Sequence, residues 1–144
     1  MECLTKPIDI FEDQEQLEKC LREWQHILFL DGWLIIAHIE DKIIGCDGNE
    51  VKNATGLNTL VFESSQSDIQ LLSEKAHIEN NNLFKHCMEK DLVHELLHCK
   101  YAWMENPNQY YESVYLEANE HQKLEEMAKS LIMAKYNLEY DYFI

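Results

Sequence analysis

The stretch that most constrains the fold of this chain is residues 94–98, which read HELLH. Two histidines four positions apart, His94 and His98, project from the same face of a helix, one turn above the other. Their imidazoles can therefore bind one tetrahedral zinc ion, and Glu95 holds the position of the general base in H-E-x-x-H sites. The other side of the helix is apolar, with Leu92, Val93, Leu96 and Leu97. The stretch predicts a helix with metal chemistry on one face and core packing on the other.

A simpler interpretation of the same stretch is a buried amphipathic helix whose two histidines only form hydrogen bonds. The spacing of His94 and His98, the acidic residue Glu95 and the apolar flanks all agree with the context that the zinc motif requires. We therefore expect the metal site.

Length and charge restrict the kind of protein further. A chain of 144 residues suits one domain, expected to span residues 1–144, with a single modest hydrophobic core. Its 12 basic and 27 acidic residues give a formal charge of −15, which repels phosphate backbones at long range. We therefore expect no nucleic-acid partner.

The cysteines and the N-terminal sequence indicate a compartment. Five cysteines are scattered without a C-x-x-C pair, which suits a reducing cytosol better than a disulfide framework. Cys99, directly after the motif, is interpreted as a packing residue. No signal peptide and no apolar run long enough for a bilayer are recognisable. We expect a cytoplasmic protein with no membrane partner, and the sequence carries no signal for its oligomeric state.

The first half of the chain predicts a helix followed by a small sheet. Apolar residues at helical spacing indicate a helix from residue 12 to about 31, capped by Asp9 or Asp13 and stopped by Asp31-Gly32. Strands are expected at residues 33–39, 42–46 and 58–64, with a weaker one at 51–55. Together they predict an antiparallel sheet of three or four strands.

The second half predicts helices. Residues 65–82 are ambiguous, and their apolar positions near Ile69 are compatible with the start of a short helix. A helical pattern then runs from Leu83 through the zinc motif and ends before Pro107. A last helix is expected from about Tyr111 to Tyr136. The expected fold class is α+β.

A catalytic zinc ion needs a third protein ligand and leaves its fourth position to water. The last helix has an apolar stripe of Leu124, Met127, Ala128, Leu131 and Ile132. Extended backwards at about 100° per residue, this stripe has Glu117 near its centre, with Glu120 and His121 on either side. Helix geometry leaves the choice open, and each residue alone is also compatible with solvent exposure. One of the three is expected to complete the site, because no other region offers a ligand so placed.

The order of these parts resembles a family of small metallopeptidases found in phages and prophages. Members have a helix leading into a W-x-x-x-L-x-L-x-x-W-x-I stretch, a small sheet, an H-E-L-x-H helix and a final helix beginning E-x-x-x-x-x-x-A. Residues 24–35 (WQHILFLDGWLI) resemble the first part, and residues 94–98 match the zinc motif. The residue seven positions before Ala128 is His121, where the family usually has Glu. The resemblance covers most of the chain.

The resemblance implies a zincin-like fold, a zinc cofactor and a peptidase activity. The departure at position 121 leaves two possibilities: either His121 replaces the usual glutamate as a neutral imidazole, or Glu120 rotates into the site. We favour His121, because imidazole is the commoner zinc ligand and keeps the family position. Glu117, one turn earlier, is then expected to accept a hydrogen bond from an imidazole N–H.

The expected reaction is hydrolysis of a peptide or protein substrate. Zinc polarises the scissile carbonyl, while Glu95 takes a proton from water and delivers it to the leaving amine. The strand at 58–64 is expected to hold the substrate extended by main-chain pairing. A tyrosine is expected to stabilise the oxyanion, with Tyr110, Tyr111 and Tyr115 as candidates.

Two alternatives from other classes of protein stay open. One is a non-catalytic zinc-binding protein or a degenerate zincin-fold interaction protein, in which four protein ligands leave no open position. The other is a metal-free adaptor in which the motif is accidental. The zinc content of the protein separates the adaptor from the other two.

Overall fold

The computed structural model describes residues 5–80, 85–102 and 113–144, and for residues 113–120 it describes the backbone only. These residues form seven helices and strands and one short 3-10 helix: α1 (Gln14–Ile27), β1 (Leu34–Glu40), β2 (Gly56–Val61), the 3-10 helix (Phe62–Ser64), β3 (Gln66–Leu72), α2 (Glu74–Glu79), α3 (Met88–Lys100) and α4 (Ser113–Tyr136). The chain is therefore mixed α/β, with a small sheet among its helices.

The strands form one sheet in the order β1-β3-β2, so β3 is central and β1 and β2 are the edges. β3 runs antiparallel to β2 but parallel to β1, so the prediction of a wholly antiparallel sheet is wrong. The strand expected at 58–64 is β2, and its last expected residues form the 3-10 helix. Ser65, with a left-handed φ of 52°, closes the turn that pairs β2 with β3. β1, joined to β2 by a long connection, pairs with the remaining side of β3.

β3 is the strand that the sequence pattern does not reveal. Its side chains alternate between a buried row and a polar outer row. The buried row is Ser67, Ile69 and Leu71, and the polar row is Gln66, Asp68 and Gln70. The polar row weakens the strand signal, so the sequence left residues 65–82 ambiguous, and the helix start considered near Ile69 is instead part of a strand. α2 begins only after Ser73, whose hydroxyl caps it by accepting a hydrogen bond from the amide of Ala76.

The connection between β1 and β2 lacks the strands expected at 42–46 and 51–55. It contains one isolated bridge, between Ile44 and Glu50. A turn lies between these two residues, with Gly48 at a φ of 82°. Because one isolated bridge is the only pairing that the structure describes between the two segments that flank this turn, neither segment forms a strand.

α1 is shorter than the helix expected from residue 12 to 31. Asp13 caps it, because its side chain accepts a hydrogen bond from the amide three residues on, and Asp9 has no part in the cap. The helix ends at Ile27, and Phe29 then takes a left-handed φ of 58°. The backbone therefore turns away before the expected stop signal is reached.

α3 is the central helix of the fold. It begins at Met88, later than the expected start at Leu83, which lies outside the described residues. α3 contacts β2, β3, α1 and α4, and almost all of its side chains are buried. The core that these elements share includes Leu17, Leu21, Trp24, Ile35, Ile69, Leu71, Leu92, Val93, Leu96, Leu97, Leu124, Ala128 and Ile132.

α4 packs against α3 through a narrower stripe than expected. Leu124, Ala128 and Ile132 are buried, whereas Leu131 is half-buried and Met127 is 36% exposed. The helix is described from Ser113, and the expected start at Tyr111 lies outside the described residues. None of the helices in the described ranges has the length and apolar composition needed to cross a membrane.

Candidate metal centre

Three imidazoles meet where the start of the described part of α4 crosses α3. His94 and His98 come from α3 and His121 comes from α4, and one nitrogen from each ring lies within 4.8 Å of the others. His121 Nδ1 is 3.4 Å from His94 Nε2. Two nitrogens that each bind a tetrahedral zinc ion at 2.0–2.1 Å stand about 3.3–3.4 Å apart. The separation of these two atoms therefore fits adjacent ligands of one zinc ion.

The docking of α4 explains why position 121 faces α3. Leu124, Ala128 and Ile132 are buried against the core, and His121 lies one turn before Leu124 on the same side of the helix. Of the three residues that helix geometry left open, His121 is the one seen to face the motif. The side chains of Glu117 and Glu120 lie outside the described residues.

Glu125 is a site residue that the sequence analysis missed. Its Oε2 atom lies 2.7 Å from His94 Nδ1, where the ring N–H donates to the carboxylate. Nε2 is then the ring atom that faces His121 and that could bind a metal ion. Burial by itself raises the pKa of Glu125, but the hydrogen bond from His94 and the nearby Lys90 lower it to about 2. Glu125 stands four residues after His121, a spacing that puts both on one helix face and was the available signal.

The set of donors suits a divalent cation of the zinc type. Imidazole nitrogens are common zinc ligands. A carboxylate that accepts a hydrogen bond from the other nitrogen of a ligand imidazole, and so orients the ring, is typical of zinc sites. Glu95 and Glu125 both line the same cleft as His94 and His121, so carboxylates lie beside the three imidazoles. The residues present therefore fit zinc.

Glu95 is buried at the base of this cleft. Its side chain packs against Gly56, the first residue of β2: a Cβ atom at position 56 would lie 3.1 Å from Glu95 Oε1 and 3.2 Å from the Gln70 carbonyl oxygen. Burial raises the pKa of Glu95, and the imidazoles of His94 and His98 lower it in part. Gly56 is therefore the residue that makes room for the carboxylate, a role that no local sequence pattern reveals.

The cleft has a volume of about 280 Å³ and opens to solvent. Its walls are the connection before β2, the first turns of α3 around the motif, and α4; the lining residues include Asn53, Thr55, Gly56, Asp91, Glu95 and His121. His121 is exposed, whereas His94 is only 9% exposed. One side of the imidazole set therefore faces the open cleft.

The β2 edge of the sheet runs beside this cleft. The amide of Leu72 in β3 donates to the Thr55 carbonyl oxygen (2.9 Å). In this antiparallel register, the backbone groups of Thr55 and of every second residue after it point towards β3. The alternate residues, Gly56, Asn58 and Leu60, therefore point their N–H and C=O groups to the outer edge. Those groups form no hydrogen bond within the described part of the chain.

Asn58 attaches β2 to the motif helix. Its Nδ2 atom donates to the backbone carbonyl of Glu95 (2.7 Å) and lies 3.1 Å from Cys99 Sγ, while its Oδ1 atom accepts from the hydroxyl of Ser67 (2.7 Å). Cys99 is buried, as expected for a packing residue. The hydrogen bonds of Asn58 therefore hold the edge strand in register with Glu95.

Behind the cleft wall lies a histidine pair that the sequence analysis also missed. His77 of α2 and His86 stack with ring centroids 3.9 Å apart and an interplanar angle of 9°. His77 Nδ1 and both ring nitrogens of His86 are buried without a hydrogen bond. His86 Nε2 is 3.6 Å from a carboxylate oxygen of Asp91. Among the described residues, these are the buried side-chain polar atoms that lack a partner.

The expected oxyanion residues are not placed. Tyr110 and Tyr111 lie outside the described residues, and so does the side chain of Tyr115.

Comparison with models of known protein families, with curated protein sequences and with solved structures finds no match for this chain. The interpretation of the site therefore depends on its own geometry.

Proposed function

We propose that this protein is a zinc-dependent peptidase with a zincin-like fold. His94, His98 and His121 are its metal ligands, and Glu95 is its general base. The observation that carries the proposal is the meeting of imidazoles from α3 and α4, with a nitrogen–nitrogen distance of 3.4 Å, beside a buried carboxylate in an open cleft. An accidental motif gives no reason for a third imidazole to join the first two.

The open cleft favours a catalytic site over a structural one. A structural zinc site is closed by four protein ligands, whereas a catalytic site keeps one position open. Three imidazoles contribute ligand atoms within the described residues, and His121 is exposed on the cleft side. When bound, zinc supplies Lewis-acid chemistry: it lowers the pKa of a water molecule and polarises a carbonyl group.

Glu95 moves the proton in this proposal. Its carboxylate accepts a proton from the attacking water and then donates it to the amine that leaves when the peptide bond breaks. Gly56 packs against the side chain and so restricts the orientation of the carboxylate. Burial favours uptake of the proton, because it raises the pKa of Glu95.

The substrate binds as an extended segment along β2. The outward backbone groups of Gly56, Asn58 and Leu60 recur at every second residue, as a strand partner requires. Gly56 lies against Glu95, so a segment paired with this edge passes directly over the base. Main-chain pairing of this kind accepts many sequences and requires an unfolded or extended substrate.

The test combines metal analysis with a degenerate peptide library. We expect about one zinc ion per chain by elemental analysis and cleavage of library peptides detected by mass spectrometry. Glu95→Gln should keep the zinc but lower the cleavage rate by about 10²–10⁴-fold, because the amide cannot take the proton. Glu126→Gln, on the exposed side of α4, is the matched control and should cleave like the wild type.

Three outcomes contradict the proposal. A zinc-loaded wild-type protein that cleaves no library peptide is a zinc-binding protein without peptidase activity. Equal rates for the wild type and Glu95→Gln place the base elsewhere. A protein that binds no zinc in metal-replete buffer is the metal-free adaptor.

The third ligand has a separate test. His121→Ala should weaken zinc binding by well over tenfold, the size of effect expected when one of three protein ligands is lost, as competition with a chromogenic chelator measures. Glu117→Ala and Glu120→Ala should change the affinity less. If one of these acidic variants loses the metal while His121→Ala keeps it, the site has an acidic third ligand.

A further inference from the structure

Lys90 is a lysine that the proposed reaction does not use, yet it is almost buried. Its side chain is 11% exposed and lies on α3, one turn before His94. Lysines are rarely buried unless they are paired. Its Nζ atom lies 2.7 Å from Asp91 Oδ1 and 2.6 Å from Glu125 Oε1. These carboxylates raise the pKa of Lys90 in spite of its burial, so the ammonium is charged.

Lys90 and His94 hold the two oxygens of one carboxylate. Glu125 Oε1 accepts from Lys90 Nζ, and Glu125 Oε2 accepts from His94 Nδ1 at 2.7 Å. A carboxylate fixed at only one oxygen can rotate about its side-chain bonds, whereas one fixed at both oxygens cannot. The orientation of the His94 ring therefore depends on Lys90, which acts on it through Glu125.

We infer that Lys90 is a positioning residue of the metal centre. By clamping Glu125 it keeps His94 in the Nδ1–H tautomer, with Nε2 directed at the space shared with His98 and His121. The metal in this inference rests on the proposed function, but the tautomer does not. Asp91 is the second anchor of the clamp, since it binds the same ammonium and accepts a hydrogen bond from the Thr55 hydroxyl at 3.3 Å.

The chain offers a matched control for a lysine that bridges helices. Lys135 of α4 is also largely buried and bridges two carboxylates, with Nζ 2.8 Å from Glu23 and 3.4 Å from Glu89. Glu23 belongs to α1, and Glu89, although it precedes Lys90 in the sequence, binds Trp24 and Tyr136 instead of Glu125. Lys135→Met therefore removes an ammonium of similar burial without touching Glu125.

The affinity for zinc is the first measurement. Lys90→Met should weaken zinc binding by about tenfold, in the range of 10- to 100-fold known for residues behind metal ligands, and Lys135→Met should leave it unchanged. Glu125→Gln should weaken it at least as much as Lys90→Met, with Glu126→Gln unchanged. Lys90→Arg should restore most of the affinity. If Lys90→Met does not fold, Lys90→Gln replaces it in every comparison.

A double-mutant cycle separates positioning from general support of the fold. If Lys90 acts through Glu125, adding Lys90→Met to Glu125→Gln causes no further loss of zinc affinity. An independent tenfold loss in that background overturns the inference, and so does an unchanged affinity in the single variant.

The metal-free protein provides a readout that is independent of the proposed function. Long-range proton–nitrogen NMR spectra recorded above pH 8, where imidazole is neutral, should show His94 as the Nδ1–H tautomer in the wild type and in Lys135→Met. Lys90→Met should show a mixture of tautomers. If the wild type binds no zinc, but has the fixed tautomer that Lys90→Met loses, only the proposed function is contradicted. A mixture already present in the wild type overturns the role of Lys90.

Discussion

The two edges of the sheet are treated in opposite ways. Along β1 and the residue before it, the outward carbonyl oxygens are capped by side chains of α1: Gln25 donates to Trp33 (3.1 Å), Arg22 to Ile35 (3.4 Å) and Gln14 to Ala37 (2.7 Å). On β2 the outward groups have no partner within the described residues. An unpaired edge invites association with other chains, and proteins usually block it. The open edge is the one beside the candidate metal centre, as the proposed binding of an extended substrate requires.

The buried polar groups follow the same division. On the α1 side, Glu89 is fully buried and accepts hydrogen bonds from the Ile8 amide, from Trp24 Nε1 at 2.8 Å and from the Tyr136 hydroxyl at 2.7 Å. On the cleft side, the stacked rings of His77 and His86 keep unpaired nitrogens. Complete satisfaction of buried groups is typical of regions that stabilise a fold, and exceptions concentrate near functional sites.

The largest expected effect is a loss of stability on the side of the sheet that α1 covers. Glu89→Ala leaves the donors on Trp24, Tyr136 and the Ile8 amide buried without an acceptor, so the free energy of unfolding should fall by about 3–5 kcal/mol. Urea denaturation measures the loss, and Glu126→Ala, on the exposed side of α4, should change stability by less than about 0.5 kcal/mol. A loss below about 1 kcal/mol for Glu89→Ala shows that apolar packing alone holds α1.

The next effect is a pH dependence from the cleft side. Burial, the neighbouring His77 and Lys90 lower the pKa of His86 from 6.5 to about 4. The unfolded chain therefore binds a proton at a higher pH than the folded one, and stability falls as the pH drops from about 6.5 towards 4. Because solvent screens part of the shift, the loss should be about 1–2 kcal/mol. His86→Phe keeps a stacking ring but cannot titrate, so its stability should depend less on pH in this window.

The control for that profile is His26→Phe, since His26 is an exposed histidine of α1. Denaturation midpoints at pH 4, 5, 6 and 7 compare the three proteins. If His86→Phe and the wild type lose stability in parallel, another group is responsible for the acid sensitivity.

A third effect sharpens the description of the open edge. If a substrate pairs with β2, every second amide of the substrate donates to an outward carbonyl oxygen of the strand. N-methylation of successive amides in a cleaved peptide should lower kcat/KM by about tenfold at alternate positions, because each hydrogen bond contributes about 0.5–1.5 kcal/mol and the methyl group adds a clash. A loss without this two-residue period is evidence against strand pairing.

A fourth, smaller effect concerns the contact between β2 and Glu95. Gly56→Ala places a Cβ atom 3.1 Å from Glu95 Oε1, which must shift by a few tenths of an ångström. We expect kcat to fall by about three- to tenfold with unchanged zinc content, since catalysis is sensitive to small misplacements of reacting groups. Gly32→Ala, where a Cβ meets nothing within 4 Å, should have no effect. Zinc loss in Gly56→Ala contradicts this explanation.

The smallest expected effect comes from removing the side chains of α1 that cap the edge strand β1. Gln14→Ala combined with Arg22→Ala removes two caps from β1 and should cost only about 1 kcal/mol, because both side chains are exposed. The uncovered carbonyl oxygens should promote association that sedimentation velocity detects at high protein concentration, with kcat/KM unchanged. Glu15→Ala combined with Lys19→Ala, on the exposed face of α1, is the control. A monomeric double variant shows that the caps do not protect the edge.

The sequence by itself determined features that depend on neighbours in the chain. The spacing of His94 and His98 on a helix and the strand at β1 are readable because helix and strand periods place residues a few positions apart on one face. The cap of α1 was readable only as a choice between Asp9 and Asp13. The candidates for the third ligand followed from the same period, which brought the choice down to Glu117, Glu120 and His121. Local pattern went no further, since it does not record which way a helix docks.

Only the tertiary structure decided the contacts between distant residues. His121 meets His94 across 27 positions and Glu125 meets it across 31, and both contacts depend on how the apolar stripe of α4 seats on α3. The parallel pairing of β1 with β3 was equally unreadable, because strand order depends on how the β2–β3 hairpin packs against the helices. Gly56 makes room for Glu95 for the same reason: packing, and no sequence period, brings them together.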